Sequence, residues 1–322
     1  MFAIVVHVLA GCGAGMPPSA PIEVQPSRRS PQLPLPALAL PSGAQWLLLA
    51  EPQRALANTA LRRLFDTLMP EGRRVAWGQR YAVDPLTVQH VALGGYPDGQ
   101  LMVAHGGIDP RAVVEAAATA MEVDETTTDQ PRPLTIGLIG SDRYLFAAVE
   151  AEDLVMGVGA PESWNVLFRY LDGESPTPPE ASLAHATQRR AAAAQEAPLT
   201  LYLLAPLGLP TDASVGQVLA GQQQLAATLT SVDPAQVEVW VALSGEFPDT
   251  IEDNLRALFR AVAAEPLGAA LGLAAGLNSL RVEAVEGVVT IRVSLPTDRV
   301  VLGLETLFGV ELWKLMEGRS SR

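Results

Sequence analysis

The chain has 322 residues, 48% of them hydrophobic, and a formal net charge of −13 at pH 7. The length allows one large or two ordinary domains, and the hydrophobic content is that of a globular protein. The negative charge disfavours nucleic acid and anionic lipid headgroups as partners, because both are negatively charged themselves. A single cysteine excludes a framework of disulfides within the chain.

The first segment is a short apolar run that ends in Leu9-Ala10-Gly11-Cys12. This run is too short to cross a bilayer as a helix, which needs about 20 apolar residues. It has the length of the apolar region of a signal peptide, although the first basic residue of the chain is Arg28.

An aliphatic residue, two small residues and a cysteine resemble the lipobox of bacterial lipoproteins. The resemblance implies that residues 1–11 are a signal peptide and that Cys12 carries a lipid anchor. With Gly13 rather than Asp after the cysteine, it also implies an outer-membrane protein that faces the periplasm. The cell surface is the alternative location.

Residues 12–44 follow as a tether. They contain eight prolines among serine, alanine and glutamine. This composition is typical of an extended polyproline II segment that rises about 3 Å per residue and forms no core.

Residues 45–172 predict a first α+β lobe. Tyr96-Pro97-Asp98-Gly99 is a strong hairpin turn, and Asp109-Pro110 is typical of a helix N-cap and first turn. The predicted strands are 46–50, 74–83, 87–95, 100–106, 134–139, 144–150 and 154–158; the predicted helices are 54–69, 109–121 and 161–171, with an acidic loop at 122–130.

Residues 173–197 are rich in proline, alanine and polar residues and predict a linker. A second lobe, 198–318, follows, and Glu286-Gly287 predicts a hairpin turn within it. Its predicted strands are 199–204, 237–243, 280–284 and 288–295, and its predicted helices are 214–231, one that begins after Pro248-Asp249, and 297–316.

The two lobes share a predicted β-α-β-α-β-β-α order, which indicates an internal duplication. Residues 103–107 followed by Asp109-Pro110 parallel residues 241–245 followed by Pro248-Asp249. Hairpins and alternating patterns favour an α+β fold of mostly antiparallel sheets with helices packed on one face. The pattern leaves open whether the lobes are independent domains or parts of one shared sheet.

Common catalytic and cofactor motifs do not occur in the sequence. It contains no Gly-x-Gly-x-x-Gly turn after a strand, no Walker motif (the only lysine is Lys314) and no Gly-x-Ser-x-Gly elbow. One cysteine and four scattered histidines do not have the spacing of a zinc site. We therefore predict no cofactor, no nucleotide and no catalytic residue.

Two histidines form the one constellation that could hold a metal. If Tyr96 and Gly99 close the hairpin, directly opposed residues have numbers that sum to 195, which places His90 opposite His105. Cross-strand Cβ atoms then lie about 4.5–5.5 Å apart, close enough to share a metal or a proton. The local sequence offers no obvious third ligand, so an ordinary surface pair is the simpler interpretation.

Gly268, Gly272 and Gly276 recur every four residues. On one helix they would form a groove of small residues, either for close packing against another helix or as a lip for an apolar ligand.

Together these features favour a membrane-anchored lipoprotein that acts as a non-catalytic binding or assembly module. We expect it to contact the membrane through Cys12 and a protein partner that the sequence does not specify. A carrier or sensor of apolar ligands such as lipids is the alternative, and a metal-assisted hydrolase that uses His90 and His105 is the third hypothesis.

Overall fold

The computed structural model describes residues 40, 43–127, 132–150, 152–159, 164, 197–204, 214–219 and 221–308. The predicted signal peptide, Cys12, all of the tether before Leu40, most of the predicted linker and helix 161–171 apart from Trp164 lie outside the described residues.

Twelve strands form one antiparallel sheet, in the order β11-β12-β10-β9-β8-β1-β2-β3-β7-β6-β5-β4. The strands are β1 (Trp46–Ala50), β2 (His90–Tyr96), β3 (Gly99–His105), β4 (Glu122–Thr127), β5 (Leu134–Ile139), β6 (Asp142–Glu150), β7 (Asp153–Gly159), β8 (Leu199–Leu203), β9 (Gln222–Asp233), β10 (Gln236–Gly245), β11 (Arg281–Val285) and β12 (Val288–Pro296).

The described helices connect these strands, and none of them is both long and apolar enough to cross a membrane. They are α1 (Pro52–Ala57), α2 (Thr59–Leu68), α3 (Glu71–Tyr81), α4 (Pro110–Ala120), α5 (Ser214–Val218), α6 (Ile251–Ala264), α7 (Pro266–Ala270), α8 (Leu273–Gly276) and α9 (Thr297–Phe308).

The centre of the sheet is the pairing of β1 with β8. These strands are antiparallel, with Leu48 opposite Leu201. Backbone hydrogen bonds extend the pairing beyond both ends, from Leu204 N–H to Gln45 at 2.7 Å and from Glu51 N–H to the carbonyl of Pro198 at 2.8 Å. The strands of the two predicted lobes therefore share one sheet.

Helix α2 strengthens this connection, since it follows β1 in the chain but packs on strands of the other half. Its buried Leu61 and Leu64 share a core cluster with Val237 of β10 and Val293 of β12. The Arg63 guanidinium of α2 also pairs with Asp298 of α9. Helix α2 of the first half thus contributes side chains to a core of the second half.

Helices α2, α4 and α6 pack on one face of the sheet, whereas the helical Trp164 packs on the other. Val114 of α4 packs in one cluster with Phe146, Leu255 of α6 in another with Leu243, and α2 packs as described above.

The other face has a row of directly paired apolar residues that crosses nine strands. We call it the apolar row; from β10 to β5 it consists of Ala242, Ala226, Tyr202, Leu47, Gly94, Leu101, Gly157, Leu145 and Ile136.

Several predicted elements are confirmed where local turn or cap chemistry is strong. The β2–β3 hairpin pairs Tyr96 with Gly99. The Asp109 side chain accepts hydrogen bonds from two backbone N–H groups at the start of α4. In the β11–β12 turn, Glu286 and Gly287 both have positive φ, 45° and 76°, as the turns favoured in two-residue hairpins require.

Four predictions were wrong. The helix predicted at 54–69 is two helices, because Asn58 has an extended backbone and caps α2. The strand predicted at 74–83 is part of helix α3, whose Tyr81 ring stacks on Phe146 at a centroid distance of 6.1 Å. The acidic loop predicted at 122–130 begins with strand β4, and most of the helix predicted at 214–231 is strand β9. Leu225 and Leu229 fit a helical period of four as well as a strand period of two, which explains the last error.

The two outermost strands are protected in different ways. β4 is exposed and carries acidic side chains and a bulge between Val123 and Glu125, features that oppose pairing with another strand. At the other edge, Glu252 of α6 accepts a hydrogen bond from the backbone N–H of Ala284 at 2.9 Å. Arg256 binds Glu252 at 2.9 Å and donates to the carbonyl of Val282 at 2.8 Å. These contacts occupy backbone groups of β11 that would otherwise face outward.

The hydrogen bond from Ala284 N–H, together with Arg256, lowers the pKa of Glu252 below its ordinary value. A lowered folded-state pKa stabilises the fold above the unfolded-state value of about 4.3, and this contribution is lost as pH falls through the folded-state value. We therefore expect Glu252→Gln to lower the free energy of unfolding at neutral pH, and the difference from the unsubstituted protein to shrink in acid. Urea unfolding at several pH values measures it.

Glu283→Gln is the matched control, because Glu283 is exposed on the same edge strand. It should change the free energy of unfolding by less than about 0.5 kcal/mol. A Glu252→Gln effect that is equal at neutral and acidic pH would contradict the proposed role of the carboxylate.

Candidate functional site

The predicted histidine pair forms as the hairpin register requires. His90 lies directly opposite His105 at the open end of the β2–β3 hairpin. The two imidazole centroids are 6.1 Å apart and the rings are inclined by 27°. This part of the prediction is confirmed.

Asp153 joins the pair through a strand whose place in the sheet no local sequence pattern indicates. It begins β7, which pairs with β3, and it lies opposite His105. Its Oδ1 is 2.6 Å from Nδ1 of His105, and both side chains are 29% exposed. No local pattern predicts a contact across 48 positions of the chain, since it depends on the order of strands in the sheet.

The second histidine has an unpaired ring nitrogen. Nδ1 of His90 is buried and makes no hydrogen bond. A buried polar atom without a partner is uncommon in folded proteins, because burial removes its hydrogen bonds to water without replacement. His90 therefore differs from His105, whose Nδ1 is held by a carboxylate.

No complete set of metal ligands surrounds the pair. Within the part of the chain that the structure describes, no three His, Cys, Asp or Glu side chains are grouped so that they could hold a metal ion. A metal-assisted hydrolase would therefore need ligands beyond those of the described residues.

The histidine cluster lies at one end of the face that carries the apolar row. Each residue of the cluster is an even number of positions along its strand from a residue of the apolar row. The pairs are His90 and Gly94 in β2, His105 and Leu101 in β3, and Asp153 and Gly157 in β7. Since side chains alternate between the faces of a strand, all three project from that face. The polar cluster thus adjoins the buried apolar row on the same face of the sheet.

Two residues from outside the strands pack on the apolar row, each above a glycine. A Cβ on Gly94 would lie 3.3 Å from Cδ1 of Leu40, and a Cβ on Gly157 would lie 2.6 Å from Nε1 of Trp164. Leu40 is only 1% exposed, so the end of the predicted tether belongs to the core. The Arg143 guanidinium lies 5.6 Å from the centre of the Trp164 ring, while the buried Trp164 Nε1 has no hydrogen-bond partner.

Tyr202 supplies a phenol to the same row, and burial raises its pKa to about 12. The phenol is therefore neutral at physiological pH. Charged side chains on this face include Asp153, Arg143 and the pair of Glu238 and Arg292 on β10 and β12.

The three glycines do not form a stripe on one helix, so that prediction was wrong. Gly268 lies in α7 and Gly276 ends α8, while Gly272 between them has φ +74° and breaks the helical path. Each is nevertheless closely packed. A Cβ would lie 1.9 Å from the Val262 carbonyl oxygen at Gly268, 2.5 Å from Cβ of Arg299 at Gly272, and 2.6 Å from Leu295 at Gly276. These contacts favour close packing within the fold over an exposed apolar groove.

Cys12 lies outside the described residues, and its lipidation stays a prediction.

Comparison with known proteins places the fold but assigns no function. No protein-family model matches this chain, and neither does any curated protein. A solved structure titled "Structure of crystal form IV of TP0453" is similar, with a TM-score of 0.50 and 9% sequence identity. The match covers 83% of this chain and 94% of the other. At this identity the likeness concerns the fold alone, a mixed α/β protein with a large antiparallel sheet and a few helices.

Proposed function

We propose that this protein is a lipid-anchored, non-catalytic binding or assembly module that faces the periplasm from the outer membrane. The observation that carries the proposal is the sequence Leu9-Ala10-Gly11-Cys12 at the end of a short apolar run. A proline-rich segment follows it, and the core begins at the buried Leu40. If residues 13–39 are extended, they span roughly 80 Å, enough to hold the sheet well away from a bilayer.

The finer architecture supports a module built by duplication. Each half has a first strand, a hairpin, a helix and a returning hairpin: β1, β2–β3, α4 and β6–β7 in one half, and β8, β9–β10, α6 and β11–β12 in the other. Because β1 and β8 are antiparallel at the centre, a two-fold axis through the sheet between them would relate the halves. The hairpin β4–β5 is an addition to the first half.

The alternative, a carrier of apolar ligands, is favoured by one specific observation. The core cluster around the apolar row contains residues of many strands together with Leu40 and Trp164, and none of α1–α9 contributes to it. The row itself is already buried, with Leu47, Leu101 and Leu145 at 0% exposed, and Leu40 and Trp164 pack on it. An acyl chain would therefore enter this core by displacing Leu40 or Trp164.

The anchor is tested by Cys12→Ser. A serine cannot form the thioether to the lipid, so the variant should leave the membrane fraction and appear in the soluble periplasmic fraction. Fractionation of cells with a high-salt wash and immunoblotting measures this. Ser19→Ala, in the same proline-rich segment, is the control and should stay with the membrane. Retention of Cys12→Ser in the washed membrane would contradict the proposal.

The carrier alternative is tested with a fluorescent polyene fatty acid, which accepts energy from tryptophan. Trp240 lies in the core cluster of the apolar row, whereas Trp46 packs on the helix-covered face. If the acid binds on the apolar row, Trp240→Phe should reduce the energy transfer by more than Trp46→Phe does. Absence of saturable binding would exclude the carrier while leaving the anchored module untouched.

A further inference from the structure

The histidine cluster has the chemistry of a metal site that is open on one side. Neutral imidazole nitrogens bind Cu²⁺, Ni²⁺ and Zn²⁺, at about 2.0–2.1 Å for zinc. Two imidazoles on one metal therefore bring their ligand nitrogens to about 3 Å of each other. The rings of His90 and His105 are 6.1 Å apart between centroids. Rotation of the His90 side chain, whose Nδ1 has no hydrogen bond, would have to close this separation while Asp153 keeps His105 in place.

Asp153 determines which nitrogen of His105 is free to act as a ligand. Its carboxylate lies 2.6 Å from Nδ1 of His105, so in the neutral ring Nδ1–H donates to the carboxylate and the lone pair is on Nε2. A carboxylate that holds the non-ligating nitrogen is the usual outer partner of a metal-bound histidine, because it fixes the ring and increases its basicity.

His90 supplies the second, independent observation. Its buried Nδ1 has no hydrogen-bond partner, although the opposite histidine is fully oriented by Asp153. An ordinary ion pair between His105 and Asp153 leaves this nitrogen unexplained. Coordination to a cation would satisfy it.

We propose that His90 and His105 together bind a divalent transition metal of the Cu²⁺, Ni²⁺ and Zn²⁺ class, with Asp153 as the residue that positions His105. Because no third protein ligand is grouped with them in the described residues, at least two coordination positions remain for water or for a ligand from another molecule. The site is therefore exchangeable, unlike a structural zinc site with four protein ligands. The proposal does not rest on the lipid anchor or on a carrier role.

The experiment uses the full chain, without a histidine tag and after treatment with a chelator. Cu²⁺ is the first probe, because it binds such ligands most tightly in the first-row series. We expect one equivalent to bind by calorimetry and its paramagnetic resonance spectrum to show coupling to two imidazole nitrogens. Zn²⁺ should compete for the same site.

The variants separate ligands from the positioning residue. His90→Gln and His105→Gln should each lower the affinity for Cu²⁺ at least tenfold and leave coupling to a single imidazole. Asp153→Asn should lower it by about 10–100-fold while coupling to two nitrogens is retained, and Asp153→Glu should restore part of the loss. His185→Gln removes a histidine elsewhere in the chain and should change nothing.

Two results would overturn the proposal. One is the absence of saturable Cu²⁺ binding by the unsubstituted chain, and the other is binding that survives His90→Gln but is lost in His185→Gln. Circular dichroism of each metal-free variant reports whether it folds. If a ligand variant does not fold, the paramagnetic resonance spectrum of the unsubstituted protein decides. Coupling of Cu²⁺ to two imidazole nitrogens supports the site, and coupling to one or to none contradicts it.

Discussion

The antiparallel pairing of β1 with β8 is the interaction on which the rest of the structure depends. It joins seven strands of the first half to five of the second in a single sheet. Without it, each half would present an exposed apolar strand at its edge, a template for unwanted pairing. Helix α2 would also lose the strands that bury Leu61 and Leu64, because those strands, β10 and β12, belong to the second half.

The face that carries the histidine cluster is a product of the same sheet. The apolar row is continuous because Leu47 of β1 lies between Gly94 of β2 and Tyr202 of β8. At its end, three neighbouring strands bring together His90, His105 and Asp153. A rigid sheet with helices on its other face is well suited to hold such groups in fixed positions, as binding requires. Under the proposed lipidation of Cys12, the segment between it and Leu40 sets how far this face of the sheet lies from the membrane.

The features that could be predicted from the sequence are those set by residues close together in the chain, such as turns and helix caps. The turn Tyr96-Pro97-Asp98-Gly99 fixed the register that places His90 opposite His105, and Asp109 marked the start of α4. Contacts that depend on strand order could not be predicted, and Asp153 was missed for that reason. Two elements without a pattern of buried apolar residues were also predicted wrongly. Strand β4 is exposed, and helix α3 has no buried residue.

The most direct test of this account is the unfolding of the two halves apart and together. Residues 40–172 and 197–322 would be expressed separately, and urea unfolding followed by circular dichroism. We expect neither fragment alone to unfold cooperatively, the mixture to regain a cooperative transition, and the full chain to unfold in one step. A fragment that alone unfolds cooperatively at the midpoint of the full chain would show that the halves are independent domains and would contradict the shared sheet.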